Sequence, residues 1–174
     1  MFKLRARQET VLHSFKGGAD GEQPASGLLL DSAGNLYGTT GLGGGGKKCV
    51  GGHTNGCGTV YKLDTNGIEA VLYAFTGGAD GAFPDDRLVS DAAGNLYGTT
   101  TKGGEKLYSG TVYKLDPTGK ETVLYDFLGG KDGLFPDGLA IDVAGNLYGT
   151  TLEGGLNSCA RGQSCGTVFK LTPQ

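Results

Sequence analysis

Tryptophan is absent from the sequence, methionine occurs once, histidine twice, and no apolar run reaches the length of a membrane-spanning helix. A membrane span is thereby excluded. Fifteen basic residues stand against eighteen acidic ones, a net charge of −3 with no basic stripe to track phosphates, so nucleic acid is not an expected partner. With two histidines and neither a G-x-S-x-G nor an H-E-x-x-H string, nucleophilic and acid–base catalysis have little to work with. The Gly-Gly runs are not phosphate loops, because no Lys-Ser/Thr follows them and no helix begins there. What abounds is glycine, 35 of 174 residues beside five prolines, with no recurrence at every third position that would indicate collagen. Eight Tyr and seven Phe supply large apolar bodies for the core of a folded, turn-rich domain.

Internal repetition organises the chain. The string GNLYGTT occurs at 34–40, 94–100 and 145–151, each copy preceded by an Asp (Asp31, Asp91, Asp142), and GTV(Y/F)KL follows at 58–63, 110–115 and 166–171. E-x-V-L-(Y/H)-x-F starts at Glu9, Glu69 and Glu121, which divides a single repeat domain, 1–174, into units 9–68, 69–120 and 121–174. Each unit has room for four short strands and no helix. In the first these are A over 27–30, B over 35–40, C over 59–63 and D over 70–75, with tight turns between A and B and between C and D. A four-stranded antiparallel meander repeated about every 50 residues predicts an all-β fold, a β-propeller-type array of three blades. Three blades leave two faces and two edges open, so completion by a second chain to six blades is expected, as a head-to-tail dimer or, if the contact does not close, a filament.

The meander places the B–C loops and the D-to-A segments on one face. There the B–C loops are long and all different, the pattern of recognition loops on a rigid scaffold. They hold all four cysteines, Cys49 and Cys57 in the first, Cys159 and Cys165 in the third. The spacings C-x7-C and C-x5-C depart from the usual zinc pattern, and unpaired thiols in exposed loops would oxidise, so two local disulfides and an oxidising compartment are expected. His53, Lys106, Tyr108 and Arg161 lie on the same loops and are binding-face candidates. The Gly-Gly-His-Thr-Asn-Gly setting of His53 offers little to hold a base in place. Each F-x-G-G-x-D-G segment brings one carboxylate to that face, Asp20, Asp80 and Asp132. Calcium is conceivable there, yet one carboxylate in a Gly-rich turn falls short of roughly six to eight ligands, and no cofactor is expected. The repeated Tyr37, Tyr97, Tyr148, Tyr61, Tyr113 and Phe169 read as packing between blades. The repeated Asp31, Asp91 and Asp142 read as acceptors for turn N–H groups. His13 replaces the Tyr of the other D strands.

In their cyclic order, GNLYGTT, GTVYKL and F-x-GG-x-DG resemble the choice-of-anchor tandem repeat family known as GloVer, over essentially residues 9–174. The resemblance implies secreted or surface-anchored bacterial proteins with no established activity for the repeat. This chain has three units and carries no signal peptide or C-terminal anchor of its own, so export is inferred from the cysteines and the resemblance. Residues 1–4 line up with strand C, and the chain stops just after another strand C, as in a piece of a longer array or a protomer completing its neighbour. The function expected is a non-enzymatic extracellular scaffold or binding module presenting its loops to a protein or glycan. The alternative is a propeller hydrolase or lyase using carboxylates, with or without a divalent metal, at the channel mouth.

Overall fold

The computed structural model describes residues 9–24, 26–45, 49–106, 108–156 and 165–173. Three antiparallel meanders follow one another. The first orders β1 (Leu29–Leu30), β2 (Leu36–Thr40), β3 (Thr59–Leu63) and β4 (Glu69–Ala74). The second orders β5 (Val89–Ser90), β6 (Leu96–Thr100), β7 (Thr111–Leu115) and β8 (Glu121–Asp126). The third has three strands among the described residues, β9 (Leu134–Ile141), β10 (Leu147–Glu153) and β11 (Thr167–Leu171). Short 3-10 turns at Gly18–Asp20 and Val50–Gly52 are the helical elements of the described residues. None is long and apolar enough to cross a membrane.

The chain reverses where its side chains can satisfy the turn. Asp31 Oδ1 accepts the N–H groups of Ala33 (2.9 Å) and Asn35 (2.8 Å), while Oδ2 accepts the Asn35 amide (2.8 Å) and the Tyr37 hydroxyl (3.1 Å). Asp91 and Asp142 repeat all four bonds. This donor set holds the Asp142 carboxyl down at about 2, the Asn146 amide contributing most. At the opposite end, β2 and β3 meet through the hydroxyls of Thr40 and Thr59, 2.8 Å apart, and Thr100–Thr111 and Thr151–Thr167 do the same at 2.9 Å. The last Gly of F-x-GG-x-DG closes over that pair: a Cβ on Gly21 would lie 2.8 Å from the Thr40 side chain.

Between sheets the repeated aromatics interlock. Phe15, Phe75 and Phe127 stand edge-on to Tyr61, Tyr113 and Phe169 of the first, second and third sheets, with centroids 4.9, 5.0 and 5.2 Å apart. Phe75, Leu88, Leu96, Tyr113 and Leu115 form the core between the first and second sheets. Tyr97, Val112, Phe127 and Leu147 form the core between the second and third. The first strands converge on a common axis. The Thr39 hydroxyl donates to the Asp86 carbonyl (3.3 Å) of the next unit, and the Asp86 carboxyl is hydrogen-bonded to Asp137 of the unit after. Successive sheets packed face to face around their innermost strands make a propeller-type array.

Residues 9–15 differ from the strand D expected there: they form no strand. Phe15 nonetheless occupies the packing position of Phe75 and Phe127. Among the described residues no strand C lies alongside, and an extended segment without a ladder partner is not a β-strand.

Candidate functional site

The first long loop is stapled as expected. Cys49 and Cys57 are joined by a disulfide with Cα atoms 5.2 Å apart, and both are buried. Inside the closed loop the Cys49 N–H donates to the His53 carbonyl (2.7 Å), so His53 is held more firmly than its glycine-rich surroundings suggest. Its ring stands edge-on to Phe83 at 5.1 Å.

Phe83 is the pivot of the site. Its N–H donates to the Cys57 carbonyl (2.8 Å), and its own carbonyl accepts the Thr101 N–H (3.1 Å), which clamps it between the stapled loop and the segment leaving β6. Its φ is 57°, in the left-handed region that side chains rarely adopt, and Gln23 and Phe135 hold 60° and 55° at the same place in their units. Over the ring, Lys102 Nζ lies 5.5 Å from the centroid, and it also faces the Tyr108 ring at 5.9 Å. The Asp85 carboxyl rests against Gly41, where a Cβ would meet its Oδ1 at 2.5 Å, and burial pushes its pKa up. Gln23, His53, Phe83, Asp85 and Lys102 thus line a cleft of about 240 Å³ at the junction of the first two blades, on the loop-bearing face. An aromatic floor with a cation, a carboxyl, an amide and an imidazole around it can hydrogen-bond and stack on a small polar ring.

Nearer the axis, burial and the hydrogen bond with Asp137 push the Asp86 carboxyl up to about 6, against the opposing 2.5 Å bond from the Thr99 hydroxyl. This pair holds a proton to a higher pH than an ordinary carboxyl does.

Of the residues singled out from sequence, His53 lines the cleft, and Tyr108 lies outside its lining with its ring facing Lys102. Lys106 points to the next junction, its Nζ donating to the Leu128 carbonyl at 2.9 Å. Asp20, Asp80 and Asp132 spend their oxygens within the chain. Asp20 accepts the Lys16 N–H (2.6 Å), Asp80 the Thr76 N–H (2.7 Å) and the Tyr73 hydroxyl (3.1 Å), and Asp132 the Leu128 N–H (2.7 Å) and the Tyr125 hydroxyl (2.5 Å). His13 stands in for the tyrosine, with Nε2 3.2 Å from Asp20, and a Glu69 carboxylate oxygen joins them so that the three groups lie within 4.8 Å of one another. Cys165 is disulfide-bonded, whereas Cys159, its expected partner, and Arg161 lie outside the described residues.

Phe83, Asp85 and Lys102 escaped the sequence reading. For Lys102 the signal is departure from the repeat, since it stands where the other units have Leu42 and Glu153; Phe83 and Asp85 recur as Phe135 and Asp137 and carry no such signal.

No curated protein matches the sequence. Among solved structures, the chain is similar to a protein proposed to be a gluconolactonase, with 22% identity and a TM-score of 0.45 over 84% of this chain and 47% of that one. It is also similar to a gluconolactonase from Xanthomonas campestris, with 17% identity and a TM-score of 0.41 over 82% and 60%. The chain therefore spans about half of each of these proteins, and so distant a likeness says nothing about activity. The model of the Gloeobacter/Verrucomicrobia repeat matches residues 48–174, most of the chain. With the strings that form its turns, strands and blade contacts all in place, the chain belongs to the Gloeobacter/Verrucomicrobia repeat family.

Proposed function

We propose that this chain is a non-enzymatic extracellular binding module that takes one sugar ring of a glycan in the cleft between its disulfide-stapled loop and its second blade. The observation that carries the reading is the convergence of His53, Asp85 and Lys102, none of them repeated in every unit, on a Phe83 whose backbone is clamped in the left-handed region. The clamped backbone recurs at Phe135, and Asp85 is matched by Asp137, but neither His53 nor Lys102 has a like residue at the matching positions of the other units, so their presence here is not demanded by the fold. The cleft's size and polarity suit a saccharide ring better than a protein surface, which needs a broader and flatter contact. The Cys49–Cys57 disulfide fits an oxidising environment outside the cytoplasm.

Calorimetric titration with cellobiose and digalacturonate tests this. Binding of at least one disaccharide is expected, lost in Lys102→Ala and weakened in the Cys49→Ser/Cys57→Ser double variant, which frees His53. Equal heats from wild type and Lys102→Ala contradict it.

A second reading, carboxylate-based hydrolysis or lyase chemistry at the channel mouth, draws on the raised Asp86 carboxyl beside Asp137. It requires cleavage of the disaccharide, visible by mass spectrometry and abolished by Asp86→Asn.

A further inference from the structure

The second unit shows what the repeat builds around its Asp80. Tyr73 of β4 donates its hydroxyl to Oδ2 (3.1 Å), while the Thr76 hydroxyl (2.6 Å) and the Gly78 N–H (3.3 Å) fill Oδ1. The charge of Asp80 also bears on Glu121 of β8. Both oxygens of Asp80 thus have donors from the chain.

One unit earlier, two departures from the repeat undo that arrangement. His13 stands where Tyr73 does, and Lys16 where Thr76 does. The Lys16 N–H still donates to Asp20 Oδ2 (2.6 Å), but in place of the hydroxyl, Oδ1 has the imidazole Nε2 of His13 at 3.2 Å. Glu69 of β4 brings a carboxylate oxygen to the same point, so that one nitrogen and two oxygens lie within 4.8 Å of one another. The imidazole stands edge-on to the Phe15 ring at 4.8 Å. Its placement is the repeat's own, since Tyr73 reaches Asp80 in the same way from a strand fully paired with β3.

A second, independent observation points to a cation. Glu69 Oε1 is buried and has no hydrogen-bond partner. Burial pushes the Glu69 carboxyl up, with Asp20 adding repulsion and His13 opposing it. Two carboxylates brought together by the fold, one of them with a desolvated oxygen that lacks a donor, are stabilised by a positive ion between them. Glu121 carries the same orphaned oxygen, but beside Tyr73, whose hydroxyl is given to Asp80, so no such ligand set forms there among the described residues.

The donor set selects the ion. Calcium takes roughly six to eight oxygens, whereas here one ligand in three is an imidazole. An imidazole with carboxylates suits zinc, whose bonds of about 2.0–2.2 Å set tetrahedral ligands about 3.3–3.5 Å apart. The separation of His13 and Asp20 is close to that, and a turn of the long Glu69 side chain brings its oxygen in. The side chains of His13 and Asp20 are 19% and 21% exposed, so an ion can enter and a water can take the fourth position.

We propose that His13, Asp20 and Glu69 bind one zinc ion, which ties the segment 13–20 to the outer strand of the first sheet. None of the three lines the cleft, so the site stands whether or not a sugar binds there. Calorimetric titration of zinc chloride into the full chain, dialysed free of metal, tests it. One ion per chain is expected, with a melting temperature that rises with zinc concentration as mass action requires. His13→Tyr installs the residue of the second unit and so keeps the packing of the segment; its zinc affinity is expected to fall at least ~100-fold, and its melting temperature to be indifferent to zinc. Glu69→Gln keeps the shape without the charge and is expected to weaken binding at least ~10-fold. A wild-type chain that takes up no zinc, or either variant binding it with wild-type affinity, overturns the proposal.

Discussion

Glu121 opens β8 with one carboxyl oxygen buried and without a hydrogen-bond partner, and burial, with Asp80 and Asp126 adding repulsion, pushes its pKa up to about 7. An unfolded glutamate titrates near ~4.3, so between the two values the folded protein binds more protons than the unfolded chain, and stability falls as pH rises through that window. Glu121→Gln removes the charge but keeps the shape. The variant should melt higher than wild type near ~pH 8 and at the same temperature near ~pH 4, where both forms are neutral. A shift of equal size at both pH values would show that the effect is packing and not ionisation.

At the scale of the element, Tyr97 shows how one strand residue serves turn and core together. Its hydroxyl donates to Asp91 at 2.9 Å while its ring is buried against the third blade. Tyr97→Ala should cost roughly 3–5 kcal/mol in chemical denaturation, and Lys106→Ala, at an exposed loop position, close to nothing. Similar costs would place the strand faces wrongly. Strands B and C could be read in the sequence almost to the residue, because GNLYGTT and TVYKL state their turns, pairing and glycine clearance locally. Strand A proved shorter than its apolar run in the first unit, Leu29–Leu30, because only these two residues pair with β2. Residues 9–15 carry the right sequence without becoming a strand because a strand depends on its neighbour. The cleft was half legible. His53 and Tyr108 could be placed on the loop face, but the approach of Phe83, Asp85 and Lys102 depends on how the second blade packs against the first, a contact that no local string encodes.

For the whole molecule, repetition and departure from it divide the work. The repeated residues hold turns, threonine pairs and aromatic contacts, and they make each blade depend on the next. The residues that break the repeat gather where the stapled loop meets the second blade. The loop closed by Cys49 and Cys57 is short, so its staple contributes about 2–3 kcal/mol in the entropic model, and its larger role is to fix the Cys57 carbonyl that clamps Phe83. Backbone amide shifts in heteronuclear NMR during titration with cellobiose and digalacturonate test the assignment of function to this cleft most directly. The account predicts shifts concentrated at His53, Phe83, Thr101 and Lys102, with the tight-turn end around Asp91 and Asp142 unmoved. Shifts centred on that opposite end, or none with either sugar, would contradict it.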